Sequence, residues 1–284
     1  MILCLLLATA ASAKPLEVVL YLVPSYDSLL TTNVDTVTPK SNKNSIVIGE
    51  VLDSNTSFQS VRSGPRGQQT SVFTRGTNSN NTLFMINGSP VTDHSTTNGL
   101  FDAGVDSVTY AQAVDLYKRS QSTLWGPNAI GGAININTGG SYEDSVELTL
   151  GSNNTAGLGV NYFTTNSSGL YSIKLFQQTS DGYSIVAGGD KDGYQYQTVS
   201  FDSSHYTEKG NFGTTIVVRE SNADLDASGS DDPDYTSESD FYFLQARYKS
   251  DNINFVIDRN VHDREYVNGT EIDTYDSTTN HYKL

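Results

Sequence analysis

From Tyr142 to Leu284 the chain alternates apolar and polar residues in run after run, and a period of two admits only β structure. Val146, Leu148 and Leu150 alternate with Glu147 and Thr149, and Tyr171, Ile173 and Leu175 alternate with Ser172 and Lys174. Leu158, Val160 and Tyr162 do the same with Gly157, Gly159 and Asn161. Further strands are predicted over about 194–206, 212–220, 240–249, 252–261 and 270–282. Short turns at 152–154 and 166–169 alternate with longer acid-rich loops at 180–193 and 222–239. Two-sided alternation with unequal loops is the signature of a transmembrane barrel, and the pattern alone also admits a soluble sandwich or propeller.

Composition agrees with β structure. The chain holds 17 Tyr, 11 Phe and 24 Gly, and only 17% of its residues are charged. Aromatic residues suit pleated surfaces, and glycine suits turns. A formal charge of −15 argues against nucleic acid or an anionic membrane surface as the main partner. Residues 1–13 form an apolar run ending Ala11-Ser12-Ala13, which reads as a secretory signal peptide and is too short to span a bilayer. No basic residue precedes the run, so the signal is expected to begin further upstream. Cys4, the single cysteine, would leave with it, excluding disulfides and thiolate chemistry from the mature chain. No later stretch is apolar enough for a membrane helix, so a membrane form must be a barrel.

Residues 14–44 read as a flexible polar segment holding one apolar patch, Leu16 to Val23, closed by Pro24. The patch suits an ordinary first strand or a strand offered to a partner's sheet edge. Residues 45–140 form a first compact unit. In it, 46–52 reads as a short helix or strand, and 71–76 and 83–88 as strands, the second ending in the Asn87-Gly88 turn signal. Elements over 105–110 and 113–118 follow, then a bend at Trp125-Gly126-Pro127, the pair Gly131-Gly132 and an alternating strand to Asn137. Paired glycines let another backbone approach closely, so this stretch belongs in a crowded interior. Gly139-Gly140 marks the hand-over to residues 141–284, the barrel strands.

The run Trp125-Gly126-x-x-Ala129-Ile130-Gly131-Gly132-Ala133-Ile134-Asn135-Ile136 resembles the end of the plug domain of TonB-dependent outer-membrane receptors. Phe73-Thr74-Arg75-Gly76-Thr77-Asn78 is similar to that family's first Arg-Gly strand, and Leu83 to Val91, with Asn87 and Gly88, to its second strand and turn. Three motifs in family order cover roughly residues 45–140. The chain departs from the family in having Asn87 for the usual Asp, and Arg119-Ser120 for the usual Gly-Pro. Within the family it looks most like cobalamin receptors, through 71–78 and through Asp181-Gly182-Tyr183-Ser184-Ile185-Val186-Ala187 followed by Asp190-Lys191-Asp192-Gly193-Tyr194.

The resemblance implies a mainly β chain, with a small mixed α/β plug domain followed by antiparallel transmembrane β-barrel strands. It implies a Gram-negative outer-membrane receptor taking up a scarce nutrient, cobalamin first and an iron-siderophore or other metal complex second. It also implies a periplasmic TonB energy-transducing partner, with Glu17, Val18 and Val19 where the family keeps its Ton box. In cobalamin receptors, aspartates of the early extracellular loops bind calcium. Asp190 and Asp192 match that motif, and Asp226, Asp231, Asp232 and Asp234 lie in the next long loop, while Ser184 replaces another family carboxylate. Clustered carboxylates on two loops supply the oxygen ligands that calcium requires, and solvated acidic loops without a metal are the plain alternative. Such a barrel has about 22 strands. Eight are drawn here, so the chain is expected to be a fragment with an incomplete barrel.

An enzyme finds little support. His94, His205, His262 and His281 form no metal-spaced pair, and there is no nucleophile elbow, phosphate loop or dinucleotide fingerprint. The pair Asp263/Glu265 reads as solvent-facing. No catalytic cofactor is expected. Arg75, if buried in a plug, needs a carboxylate, so it is expected in a structural ion pair. A reading from another class is a secreted β-rich adhesin or carbohydrate-binding protein.

Overall fold

The computed structural model describes residues 20–21, 34–38 and 46–284, except 54, 56, 97–98, 140–142 and 227–229. The signal segment and Glu17, Val18 and Val19 lie outside the described residues. The first unit holds β2 (Val34–Val37), α1 (Ile48–Leu52), β3 (Phe58–Arg62), β4 (Thr70–Thr74), β5 (Thr82–Ile86), β6 (Ser89–Pro90), β7 (Ala113–Tyr117), α2 (Ser122–Trp125) and β8 (Gly132–Asn137); β1 is Leu20–Tyr21. Its five-stranded sheet runs β2-β7-β8-β5-β6, with β3 and β4 as a separate hairpin. The central strand β8 is buried along Gly132–Ile136 and lies parallel to β5 and antiparallel to β7. Ile134, Ile136, Phe84, Ile86, Val114 and Leu116 share one core with α1.

The ambiguous stretch 46–52 resolves into α1 preceded by a bridge from Val47 to Ser107. Two expectations are corrected. Residues 105–110 form turns and that one bridge, because Asp106 there turns inward to meet a charge; and β3, unannounced by any alternation, pairs with β4.

Eight antiparallel strands follow: β9 (Ser145–Leu150), β10 (Ala156–Asn166), β11 (Gly169–Ser180), β12 (Tyr194–Thr207), β13 (Gly210–Asp224), β14 (Tyr235–Lys249), β15 (Asn254–Asn268) and β16 (Glu271–Lys283). Each pairs with its neighbour in sequence, and β1 adds in parallel beside Tyr282 and Lys283 of β16. Among the described residues β9 pairs with β10 alone, so the sheet does not close. The second long loop spans 225–234, shorter than read from the sequence, because β13 and β14 continue their alternation through polar residues.

Register explains the alternation. On the outward face Leu175, Val199, Val218, Tyr242 and Val261 stand in one cross-strand row, and Phe212, Tyr248 and Phe255 form an aromatic row nearer the short turns. Between Tyr248 and Tyr242 the apolar band is roughly 20 Å along the strand. It ends toward the long loops in a row of four carboxylates, Glu220, Asp240, Asp263 and Asp276. Like charges directly opposite one another repel, so this row belongs in water. The inward face carries Lys174, Asp202, Arg219, Gln245, His262 and Arg264, all buried against the first unit. A soluble sandwich buries apolar side chains between its sheets. Here the covered face is mainly polar, with Tyr196, Val217, Phe241 and Phe243 among its buried apolar residues, and the open face is apolar, which is the order of an outer-membrane barrel wall.

Candidate functional site

The seam between the first unit and the strands combines an apolar contact, where Val217, Phe241 and Phe243 join the core of the first unit, with a set of polar ones. Lys174 donates from Nζ to the Tyr110 carbonyl at 2.7 Å, Tyr196 donates to the Gly104 carbonyl at 2.8 Å, and Gln245 donates to Ser89 Oγ at 2.7 Å. The buried pair Arg219–Asp106 lies at its centre, with the Arg219 guanidinium 4.9 Å from the Phe241 ring centroid. Burial raises the Asp106 carboxyl above its ordinary range, and Arg219 offsets this. Arg264 serves two carboxylates of the first unit, Asp93 at 3.5 Å and Asp102 at 3.8 Å. Asp102 also accepts the Thr70 and Gly104 amides at 2.9 Å, and its carboxyl is raised by burial. The first unit thus brings carboxylates, and the wall brings arginines.

Toward the long loops the seam opens into a cavity of about 770 Å³, floored by Gly67, Gln68, Gln69 and Asp102 and walled by Tyr235, Arg264 and Tyr266. A second hollow of about 410 Å³ shares Gln69, Tyr235, Arg264 and Tyr266 with it. Ile185 and Val186 from the loop 181–193 close over the larger one, and Asp226 stands at its rim.

Asp226 belongs to the acidic cluster. One carboxylate oxygen from each of Asp190, Asp226 and Asp231 lies within 4.8 Å of the others. Oxygens around one calcium ion at 2.3–2.6 Å stand at most about 5 Å apart, so the spacing fits. The Asp190 amide donates to Asp231 Oδ1 at 2.8 Å, drawing one loop onto the other, and Gly189 leaves the room that Asp231 occupies. A hydrogen bond shared with Asp231 holds the Asp190 carboxyl above its usual range. Asp192 is 2% exposed, and burial first, then the charge of Asp226, pushes it up to about 6. One oxygen each of Asp192 and Asp226 is buried without a hydrogen-bond partner among the described residues. Asp232 instead accepts from Asn268 at 3.1 Å, and Asp234 lies at the exposed end of the loop, so neither joins the cluster.

The motif residues divide between turns and close contacts. Asn87 and Gly88, at φ 49° and 78°, make the tight turn between β5 and β6, and Gly126, at φ 84°, separates α2 from the turn at Pro127. Arg75, expected in an ion pair, is exposed at φ 49°; it donates to the Gly131 carbonyl at 3.4 Å and forms no ion pair among the described residues. It begins the turn Arg75-Gly76 at the end of β4, which carries its side chain out of the core and removes the need for a buried counter-ion.

The departure at Asn87 has a physical reason. Its Nδ2 donates to the hydroxyls of Thr138 and Thr215 at 2.8 and 3.0 Å, and both hydroxyls donate onward to Asp202. A carboxylate at 87 has no proton for this chain. Asn87→Asp is expected to cost about 1–3 kcal/mol, read from thermal unfolding in detergent micelles; an unchanged midpoint would refute the assignment.

Residues 29–133 match the TonB-dependent Receptor Plug Domain. The chain is 30% identical over 263 residues to the vitamin B12 transporter BtuB of Photobacterium profundum, covering 84% of this chain and 42% of that protein. It is 28% identical over 155 residues to BtuB of Vibrio cholerae serotype O1, covering 51% of this chain and 25% of that one. The chain therefore spans less than half the length of these curated relatives. In fold it resembles the ferric yersiniabactin uptake receptor FyuA of Yersinia pestis, with TM-score 0.65, 19% identity, and coverage of 87% of this chain and 44% of that one. It also resembles the copper transporter OprC, with TM-score 0.67, 16% identity, and coverage of 83% and 38%. A receptor plug seated on the polar face of antiparallel barrel strands, in a chain aligned with these relatives across both parts, makes this protein a member of the TonB-dependent receptor family.

Proposed function

We propose that this chain is the plug-bearing part of an outer-membrane receptor for energy-coupled uptake of a scarce nutrient, with cobalamin as the first candidate. The observation that carries this reading is the cavity between plug and wall, open toward the long loops with an acidic cluster at its rim. A cavity of that size holds a large part of a compact chelate, and the loop 181–193 is placed to close over it. Likeness to vitamin B12 transporters favours cobalamin. The folds of siderophore and metal receptors support an iron-siderophore or other metal complex as the second reading. A TonB-type periplasmic partner would engage the segment containing Glu17, Val18 and Val19. The boundaries that fit this reading are a signal at 1–13, a tether at 14–44, a plug at 45–140 and barrel strands at 141–284.

Calcium is proposed at Asp190, Asp226 and Asp231, with Asp192 beside them and carbonyl or water oxygens completing the shell. In a full-length form, cobalamin is expected to bind more tightly with calcium than without, and Asp226→Asn is expected to abolish the difference. Absence of cobalamin binding in both conditions would remove that substrate. Protons compete with the cation. The raised Asp192 carboxyl loosens the metal-free loops as pH rises through about 6 and ionisation adds repulsion, whereas calcium affinity falls as pH drops through the same value. Calorimetric calcium titrations at pH 5 and 7.5 test the sign; equal affinities would contradict it.

A further inference from the structure

The other end of the seam, toward the short turns, holds a third cavity, of about 360 Å³, whose charge is opposite to that of the loops. Strand register sets Arg247 opposite Val256 and Val256 opposite Lys283, with Lys249 two residues beyond Arg247, opposite Asn254. All three cations line the cavity, and among the described residues none of them forms an ion pair. Asp258, the carboxylate lining the same cavity, is taken by His281 at 2.9 Å. Arg247 donates from Nη1 alone, to Gln245 Oε1 at 3.0 Å and, at a long 3.4 Å, to the Thr215 hydroxyl, which leaves most of its donors unused. The plug closes the cavity with Trp125 and the turn at Gly88.

Arg247 and Lys283 are half-buried and Lys249 is exposed, so in a chain of formal charge −15 three cations converge on one recess and its mouth. Three cations outnumber the one carboxylate, Asp258, which His281 already engages, so the recess concentrates anions, and a guanidinium fork flanked by ammonium groups suits a carboxylate or phosphoryl group. We propose that this cavity is a binding site for a multiply charged oxyanion, carboxylate or phosphate, at the short-turn end of the plug–wall seam. Resting on the uptake reading, it receives an anionic arm of the transported molecule after that molecule leaves the cavity under the long loops. Its volume admits such an arm and excludes a whole large chelate.

The protein carries its own reporter, because Trp125 is the single tryptophan of the chain and lines the cavity. The full chain in neutral detergent micelles is titrated with sodium citrate and, separately, inorganic phosphate, with sodium chloride at matched ionic strength as the reference. A saturable change in Trp125 fluorescence is expected for the two oxyanions and not for chloride. The double change Arg247→Gln with Lys249→Gln is expected to weaken it at least ~10-fold, while the charge-keeping Arg247→Lys with Lys249→Arg stays within ~3-fold. Far-ultraviolet circular dichroism checks that each variant keeps its strands. No saturable response, or an equal response in the glutamine variant, overturns the site. Asp226→Asn, which disables the proposed calcium cluster, is expected to leave this response unchanged, so failure of the uptake reading and failure of the anion site are read separately.

Discussion

Replacing Arg219 with methionine is expected to destabilise the protein by about 3–5 kcal/mol, because Asp106 is then left buried and unpaired. Both side chains are almost inaccessible, at 2% and 1% exposed, and the remaining polar neighbour of the carboxylate is the Tyr110 hydroxyl at 3.4 Å. Asp106→Leu should cost a similar amount by stranding the guanidinium, whose Nε already lacks a partner. The double variant should recover most of the loss, since two well-packed apolar groups replace a buried ion pair at little cost. Unfolding of the four proteins in detergent closes a double-mutant cycle. Additive losses, with no recovery in the double variant, would show that the pair is not coupled. The wall contributes Arg219 and the plug contributes Asp106, so the single variants should also increase protease cleavage within the plug.

Gly132→Val is the second large effect, at about 3 kcal/mol or more, the upper end of the cost of overpacking. A Cβ at Gly132 would stand 2.6 Å from the Tyr117 carbonyl oxygen, and one at Gly131 would stand 2.6 Å from Thr77 Oγ1 and 3.0 Å from the Asn81 carbonyl. Backbone atoms of paired strands cannot give way as a flexible side chain can. The substitution forces β7 away from β8 and opens the plug sheet at its centre. Gly139→Ala is the control: its Cβ meets nothing within 4 Å, and the change should stay within about 0.5 kcal/mol. Thermal unfolding of both variants measures the contrast, and equal midpoints would refute the close-approach argument.

Much of this was legible in the residues. The Gly131-Gly132 pair pointed to a crowded interior, and the carbonyl of Tyr117 is what crowds it. Alternation from Val146 onward marked eight strands, since the side-chain period of a strand is local and survives in the sequence. Asp190, Asp226 and Asp231 were among the candidate aspartates because acidic residues cluster along the two loops. Which of the six candidates meet was not legible. That depends on how the loops 181–193 and 225–234 fold against one another, and Asp232 and Asp234 differ from Asp231 only in the direction the turn carries them.

The plug–wall contacts left less trace. Arg219, His262 and Arg264 sit at inward positions of ordinary alternating strands, and nothing near them in sequence marks them as partners of Asp93, Asp102 and Asp106. The basic cavity was hidden for the same reason: Arg247, Lys249 and Lys283 lie on β14 and β16, and the register through β15 aligns two of them. By itself the sequence determined the β class, the plug motifs, the turn at Asn87-Gly88 and the acidic character of the long loops, because each rests on period, backbone conformation or composition within a few residues. Only the tertiary structure decided which charges face each other across the seam and where the cavities lie. Those outcomes depend on distances between segments more than a hundred residues apart, and no local pattern encodes them.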